Sequence, residues 1–198
     1  MKKTILGGLL LVSGGLFTAT VSADQKQVIT QSSTQIPIVG TLGADNTNPE
    51  ENIPEESNGW INVSVPDSTV FGTLKKDANS VVVSPKYFIQ NFSGRGVKVS
   101  YTGISKTSSE IDKPGLNLKF AAENPESATL TNPTFSLIDK DILSNTSVDI
   151  ATLNPVSKSG GTDGGKFIYK YTGNVEKALT ETVHSTYEMT LRFAAVKK

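Results

Sequence analysis

Alternation of apolar and polar residues is the feature that most constrains the fold of this chain. The clearest case is the run 187–193, where aromatic or aliphatic residues hold the odd positions and polar residues the even ones. A period of two places successive side chains on opposite faces of a β-strand, so one face is buried. We therefore predict a strand with Phe193 facing inward and Arg192 facing outward. The same period recurs at 61–65, 97–102, 116–120 and 167–171, and weaker runs lie at 81–92, 129–137 and 148–153.

Turn residues separate these runs. Clusters of Gly, Pro, Asn and Asp lie between them, and Pro85 within 81–92 indicates an edge or a bulge. About eight short antiparallel strands over residues 59–198, with no repeated helical pattern, predict an all-β fold, a single antiparallel β-sandwich of the Ig-like kind. At 174–182, where Asn174 could cap a helix, a short helix and a loop both remain open.

The first 23 residues predict a secretory signal peptide. Two lysines precede an apolar run of 13 residues, 5–17, and Ala23 closes a small-residue cleavage site. A membrane-spanning helix needs roughly 20 residues, so this run is too short to span a bilayer. We expect a secreted product that begins at Asp24 and keeps no membrane anchor after cleavage.

Residues 24–58 differ in composition from the rest of the chain. A polar stretch ends in a short apolar run, 36–42, and residues 44–58 hold five acidic residues, two prolines and no basic residue. Such a composition buries too little apolar surface to fold alone, so we predict an extended acidic linker. The apolar run predicts a strand that pairs with an edge of its own sandwich or, through self-association, with a neighbouring molecule.

The composition also excludes several classes of function. The chain has no cysteine, which removes disulfides, thiolate catalysis and cysteine-bound zinc. Its 19 basic and 19 acidic residues balance, so no electrostatic footprint for nucleic acid exists. A single histidine, His184, rules out a multi-histidine metal site. We predict no enzymatic activity and no cofactor.

Two local motifs suggest chemistry that their context does not favour. Residues 160–167 match the glycine and lysine spacing of a phosphate-binding loop, but Phe167 replaces the required Ser or Thr, and a strand follows. We interpret the segment as a glycine-rich hairpin loop. Asp139 and Asp141 lack the further ligands of a calcium loop, and we interpret them as a solvated turn.

Five residues are candidates for surface or ligand contacts. Three aromatic residues could form a platform for stacking on sugars if they are exposed together, and the two arginines of the chain are candidate polar contacts. At a strand start, a tryptophan more often covers the end of a core, and this alternative stays open for Trp60. The candidates are Trp60, Tyr87, Arg95, Tyr101 and Arg192.

Three segments together carry a resemblance to a known family. Residues 61–66, the turn-containing segment 91–99 and the Tyr-x-x-Thr-Leu strand 187–193 follow a signal peptide and an acidic segment. This arrangement resembles the WxL-type surface proteins of low-GC Gram-positive bacteria. The resemblance implies a β-sandwich that attaches non-covalently to peptidoglycan. Neither Trp-x-Leu motif is present, because 97–99 reads Val-Lys-Val and 193–195 reads Phe-Ala-Ala.

We therefore expect a secreted, non-catalytic structural or interaction protein of the cell surface or cell wall, whose partners are peptidoglycan or other surface proteins. Two alternatives remain. One is a secreted carbohydrate-binding or hydrolytic accessory domain. The other is a pilin-like subunit that donates a strand or joins a Lys to an Asn through an isopeptide bond.

Overall fold

The computed structural model describes residues 43–108 and 114–198, in which every strand pairing is antiparallel. The predicted signal peptide, the predicted start at Asp24 and the apolar run 36–42 lie outside the described residues. One 3₁₀ turn, Asn58–Trp60, precedes the strands. The strands are β1 Val63–Ser64, β2 Gly72–Thr73, β3 Ser80–Val83, β4 Tyr87–Asn91, β5 Val97–Lys106, β6 Leu116–Glu126, β7 Ala128–Leu130, β8 Thr134–Asp139, β9 Ile142–Leu143, β10 Val148–Leu153, β11 Lys166–Val175 and β12 Tyr187–Ala195.

The strands form two sheets. Sheet 1 has the order β1-β4-β11-β6-β8-β9, with β3 also paired to β11 and β2 paired to β3. Sheet 2 has the order β12-β5-β10-β7. The chain passes from sheet 1 to sheet 2 between β6 and β7, where Ser127 has a positive φ of 49°. The predicted all-β sandwich is therefore confirmed.

One hydrophobic core lies between the sheets. Sheet 1 contributes Ile89, Leu118, Phe120, Phe167 and Tyr169, and sheet 2 contributes Val99, Tyr101, Ile150 and Leu153. Phe120 lies at its centre, with its ring 4.6 Å from that of Tyr169 and 5.1 Å from that of Phe135. Burial of these large side chains is the main favourable contribution to folding in a chain without disulfides.

The C-terminal strand has the predicted orientation. Phe193 packs against the core, whereas Arg192 is exposed. Phe193 is only half-buried because β12 is an edge strand, while Val99, directly opposite on β5, is wholly buried. The period of two therefore predicted the face correctly, and the position in the sheet sets the degree of burial.

The predicted irregularity at Pro85 is also confirmed. Residues 84–86 separate β3 from β4, and both strands pair with β11. Proline has no backbone N–H for a sheet ladder. Within the interruption, Ser84 Oγ accepts a hydrogen bond from the Tyr171 backbone N–H at 3.0 Å. Within the interruption, a serine hydroxyl rather than a strand carbonyl therefore accepts the hydrogen bond of the Tyr171 N–H.

The segment after β11 follows the loop alternative, and the turn at Asp141 differs from its expectation. Strand β11 extends to Val175, and the residues after it form a loop, not a helix, because their N–H groups bond to distant carbonyls such as Leu179 N–H to Lys76 O at 2.7 Å. The turn at Asp141 is not simply solvated. Its carboxylate accepts hydrogen bonds from the N–H groups of Gly115 and Leu116, each at 2.8 Å, and so fixes the start of β6.

Candidate functional site

The turn between β4 and β5 contains Arg95 and is built from buried polar side chains. Asn91 and Ser93 are both wholly buried. The Asn91 side-chain amide donates to the carbonyls of Arg95 and Asn154, at 2.8 and 2.9 Å. Its oxygen accepts from the Ser93 N–H, and Ser93 Oγ accepts from the Arg95 N–H. Because buried polar groups are costly unless hydrogen-bonded, this network holds the turn in one conformation.

The Arg95 side chain extends from this turn into a buried site. Only 9% of it is exposed. Its guanidinium lies 4.4 Å from the centre of the Trp60 ring, a cation–π contact. One terminal nitrogen donates to the Pro49 carbonyl, and the other pairs with Glu55 Oε1 at 3.0 Å. The Nε atom is buried without a hydrogen-bond partner.

Both Pro49 and Glu55 belong to residues 43–58, which we call the strap. The sequence predicted an extended, solvated linker here, and that prediction is wrong. The strap belongs to the same compact unit as the sandwich. Trp60 Nε1 donates to Ile53 O at 3.2 Å, and the Gly94 N–H donates to Asn46 O at 2.8 Å. The strap is held by partners outside the segment, among them Gly94 and Arg95, which are distant in sequence and which its own composition does not reveal.

Close packing at Gly94 explains why a glycine occupies that position. A Cβ atom added there would lie 2.6 Å from the Pro49 nitrogen. Real Cβ atoms do not approach backbone atoms so closely, so any side chain at this position would displace the strap. The Ser-Gly-Arg-Gly turn is therefore shaped to receive the strap.

Charged residues also fasten the strap at its surface. Lys198 Nζ lies 2.8 Å from Glu50 Oε1, and Lys197 Nζ lies 3.3 Å from Glu56. The hydrogen bond and the charge of Lys198 lower the pKa of Glu50. Hydrogen bonds from Ser159 and Thr47 lower the pKa of Asp45. Both carboxylates are solvent-exposed, so these contacts contribute little each, but they attach the C-terminal residues and the 159–160 loop to the strap.

Acidification is expected to loosen the strap before the core unfolds. The pKa values of Asp45 and Glu50 are lower in the folded protein than in the unfolded chain. The two carboxylates therefore stabilise the folded strap fully above their unfolded pKa values, near about 4. This stabilisation is lost as the pH falls through their folded pKa values. Amide exchange of the strap should therefore be faster at pH 3 than at pH 7, after correction for intrinsic rates. The double variant Asp45→Asn, Glu50→Gln should lose most of this difference, whereas Glu188→Gln should keep it. Equal strap protection at both pH values in the unmodified protein would contradict the assignment.

The aromatic candidates do not form an exposed platform. Trp60 and Tyr101 are wholly buried, so their assignment as surface contacts is wrong. Trp60 packs against the Arg95 guanidinium and the strap, and it does not belong to the hydrophobic cluster between the sheets. The Tyr101 hydroxyl donates to the Ser144 carbonyl, and burial raises the pKa of Tyr101. Tyr87 is half-buried, and its hydroxyl donates to Val70 O at 3.2 Å and accepts from Val70 N–H at 2.7 Å.

The two arginines have opposite environments. Arg95 is buried and is not a surface contact, because its donors bind the strap. Arg192 is exposed on the outer face of β12 and is the one exposed member of the five candidates. No local pattern separates the two arginines, since the partners of Arg95 lie 40 and 46 positions away in the sequence.

The glycine-rich segment before β11 is not a phosphate-binding loop. It leads into strand β11, as the sequence indicated, but it joins β10 of sheet 2 to β11 of sheet 1 and is therefore not a hairpin. A side chain at Gly165 would collide with the backbone of Asn154 and Ser127. The glycine is required for close approach of two backbones.

His184 lines a groove at the other end of β11 from this loop. The groove has a volume of about 190 Å³, and its walls include Phe71, Val82, Leu116 and Leu179. Among residues 43–108 and 114–198, no group of three or more His, Cys, Asp or Glu side chains could hold a metal ion. Every lysine in these ranges is at least partly exposed, so none sits in the buried setting that an isopeptide bond would require.

Comparisons with known proteins do not assign the chain to a family. No family model matches the sequence, and neither the curated proteins nor the solved structures include a significant match. A search of the described residues for a helix of sufficient length and hydropathy to cross a membrane finds none.

Proposed function

We propose that this protein is an exported, non-catalytic structural or interaction module of the Gram-positive cell surface, associated non-covalently with the cell wall. The observation that best supports this proposal is the Arg95 site. Its buried cation, the Trp60 indole N–H and the Gly94 backbone N–H all bind the strap and so serve the architecture of the sandwich. An exported chain without cysteine needs such internal fastening to stay folded outside the cell.

The outer face of sheet 2 is the surface that suits this role. It presents hydroxyl-bearing residues on neighbouring strands, including Ser100 and Thr102 on β5 and Thr190 on β12. An ion pair on this face joins Lys98 of β5 to Asp149 of β10 at 2.6 Å. Hydroxyl groups donate and accept hydrogen bonds without a large desolvation cost, which suits contact with the hydroxyl and amide groups of wall polymers.

Fractionation of the native host tests the proposal. Culture medium, wall protein released by high salt and wall protein released only by digestion of peptidoglycan would each be probed for the protein. We expect most of it in the salt-released fraction, and we expect the purified protein to sediment with purified walls. Heat-unfolded protein is the control for non-specific adsorption. Retention inside the cell, or absence from both wall assays, would contradict the proposal.

A further inference from the structure

Strand β12 differs from the other edge strands of the two sheets. The strands β1, β2 and β9 at the edges of sheet 1 have two residues each, and β7 at the far edge of sheet 2 has three. Strand β12 has nine residues and pairs only with β5 among the described strands. Proteins usually keep edge strands short because an unpaired edge offers donors and acceptors to another chain. Strand β12, by contrast, is long for an edge strand.

The register identifies which backbone groups point away from β5. Thr107 N–H donates to Thr186 O at 2.9 Å, and Val196 N–H donates to Gly96 O at 2.8 Å, so even-numbered residues of this segment face β5 at both ends. The register shift lies on the β5 side, where Thr102 is the extra residue, so the alternation along β12 is unbroken. In an antiparallel ladder the intervening residues point their N–H and C=O groups outward. Met189 and Leu191 therefore present their backbone groups at the edge of β12 that pairs with no strand of residues 43–108 and 114–198.

Two exposed side chains of β12 carry opposite charges and lie symmetrically about Thr190. Glu188 and Arg192 lie two residues before and two residues after Thr190, and all three are exposed. Neither charged residue forms an ion pair within the described parts of the chain. Their neighbours on β5 are Ser105 and Ser100, which are uncharged. The strand therefore carries an acid and a base that its own sheet leaves without a charged partner.

We propose that β12 pairs with β12 of a second copy of this chain, antiparallel and centred on Thr190. In this register Glu188 lies opposite Arg192 of the second copy, and Arg192 lies opposite its Glu188. Met189 and Leu191 lie opposite Leu191 and Met189, and each pair exchanges N–H···O bonds through the outward groups. The arrangement is isologous, because the same strand supplies both halves of a two-fold interface.

Geometry favours the charged pairs in this register. Residues that do not exchange hydrogen bonds across an antiparallel pair have Cα atoms about 4.5 Å apart, closer than hydrogen-bonded pairs. Glu188, Thr190 and Arg192 all occupy such positions, and pairs of opposite charge and of threonines are both stabilising there. Arginine is also enriched at protein interfaces.

The inward side of β12 supports the same partner. Met189, Leu191 and Phe193 face the core but are only half-buried, whereas Val97, Val99 and Tyr101 on β5 are wholly buried. A second β12 would cover the open side of these apolar residues and join the two copies of sheet 2 into one continuous sheet. The pairing does not depend on the cell-surface role proposed above.

Sedimentation analysis of the full chain, with charge-reversed variants, tests the pairing. We expect a reversible dimer for the unmodified protein. Each of the single variants Glu188→Arg and Arg192→Glu creates two pairs of like charges across the two-fold interface. Each should therefore raise the dissociation constant of the dimer at least about tenfold. A mixture of the two single variants should form a heterodimer, because one copy is then positive and the other negative at both positions. The double variant should dimerise like the unmodified protein.

Lys119→Glu is the matched control, because it makes a similar charge change on the outer face of β6 in sheet 1. It should leave dimerisation unchanged. All variants lie on outer faces, and circular dichroism melts would verify that they fold. A protein that stays monomeric at all concentrations would overturn the proposal. A dimer that survives both single reversals, or single variants that fail to associate when mixed, would overturn it as well.

Discussion

Replacement of Arg95 by alanine is expected to release the strap and to lower the free energy of unfolding by about 3 kcal/mol. The substitution removes the contact with the Trp60 ring, leaves the Pro49 carbonyl without its donor and separates Glu55 from its charge partner. Denaturant unfolding measures the loss. Limited proteolysis should then cleave within residues 43–58, which the unmodified protein should resist.

Two further variants test the reason for this effect. Arg95→Lys keeps the charge but loses the planar fork that binds two acceptors at once, so it should recover only part of the stability. Lys119→Ala removes a cation from the exposed outer face of β6 and should change the unfolding free energy by less than about 0.5 kcal/mol. An Arg95→Ala protein as stable and as resistant to protease as the unmodified one would contradict the structural role.

Replacement of Phe120 by alanine is expected to have the largest effect on the core, a loss of about 3–5 kcal/mol. Its ring is wholly buried between those of Tyr169 and Phe135. Truncation leaves a cavity that the flanking rings of two strands fill only in part. Thermal unfolding should show a fall in Tm of roughly 10 °C.

Phe88→Ala is the matched control for Phe120→Ala. Phe88 lies on the outer face of sheet 1 and is 49% exposed, so the same truncation should cost less than about 1 kcal/mol. Similar losses from the two variants would mean that the assignment of inner and outer faces is wrong.

Local patterns in the sequence were sufficient to predict the longer strands. The period of two placed Phe193 inward and Arg192 outward, and Pro85 marked the interruption between β3 and β4. Short strands such as β2 and β9, with two residues each, cannot show a period. Their existence depends on pairing with β3 and β8 and not on their own residues.

The candidate site could not be predicted in the same way. The acidic composition of the strap is typical of a linker, because the segment on its own contains too few apolar residues to fold. In the folded protein its carbonyls and carboxylates meet the donors of Trp60, seven residues from its acceptor, and of Gly94 and Arg95, which are distant in sequence. Aromatic and arginine residues are common both in ligand sites and in buried networks, so residue type alone did not separate Trp60 and Arg95 from a surface role.

The edge of β12 could be predicted from the sequence only in part. Its alternation was visible in the sequence, but its position at the edge of sheet 2 depends on the fold. The symmetric placement of Glu188 and Arg192 around Thr190 indicates a pairing register only once it is known which backbone groups point away from β5. Arg192 is a candidate contact residue from the sequence, and the fold identifies the surface to which it belongs.

Hydrogen exchange at the single amide of Gly94 tests the central structural claim most directly. This N–H donates to Asn46 O of the strap at 2.8 Å and has no role in either sheet. If the strap is part of the folded domain, this amide should exchange at least about a hundredfold more slowly than in an unstructured peptide, and Arg95→Ala should remove most of that protection. Exchange of the Gly94 amide at the peptide rate in the unmodified protein would contradict the account.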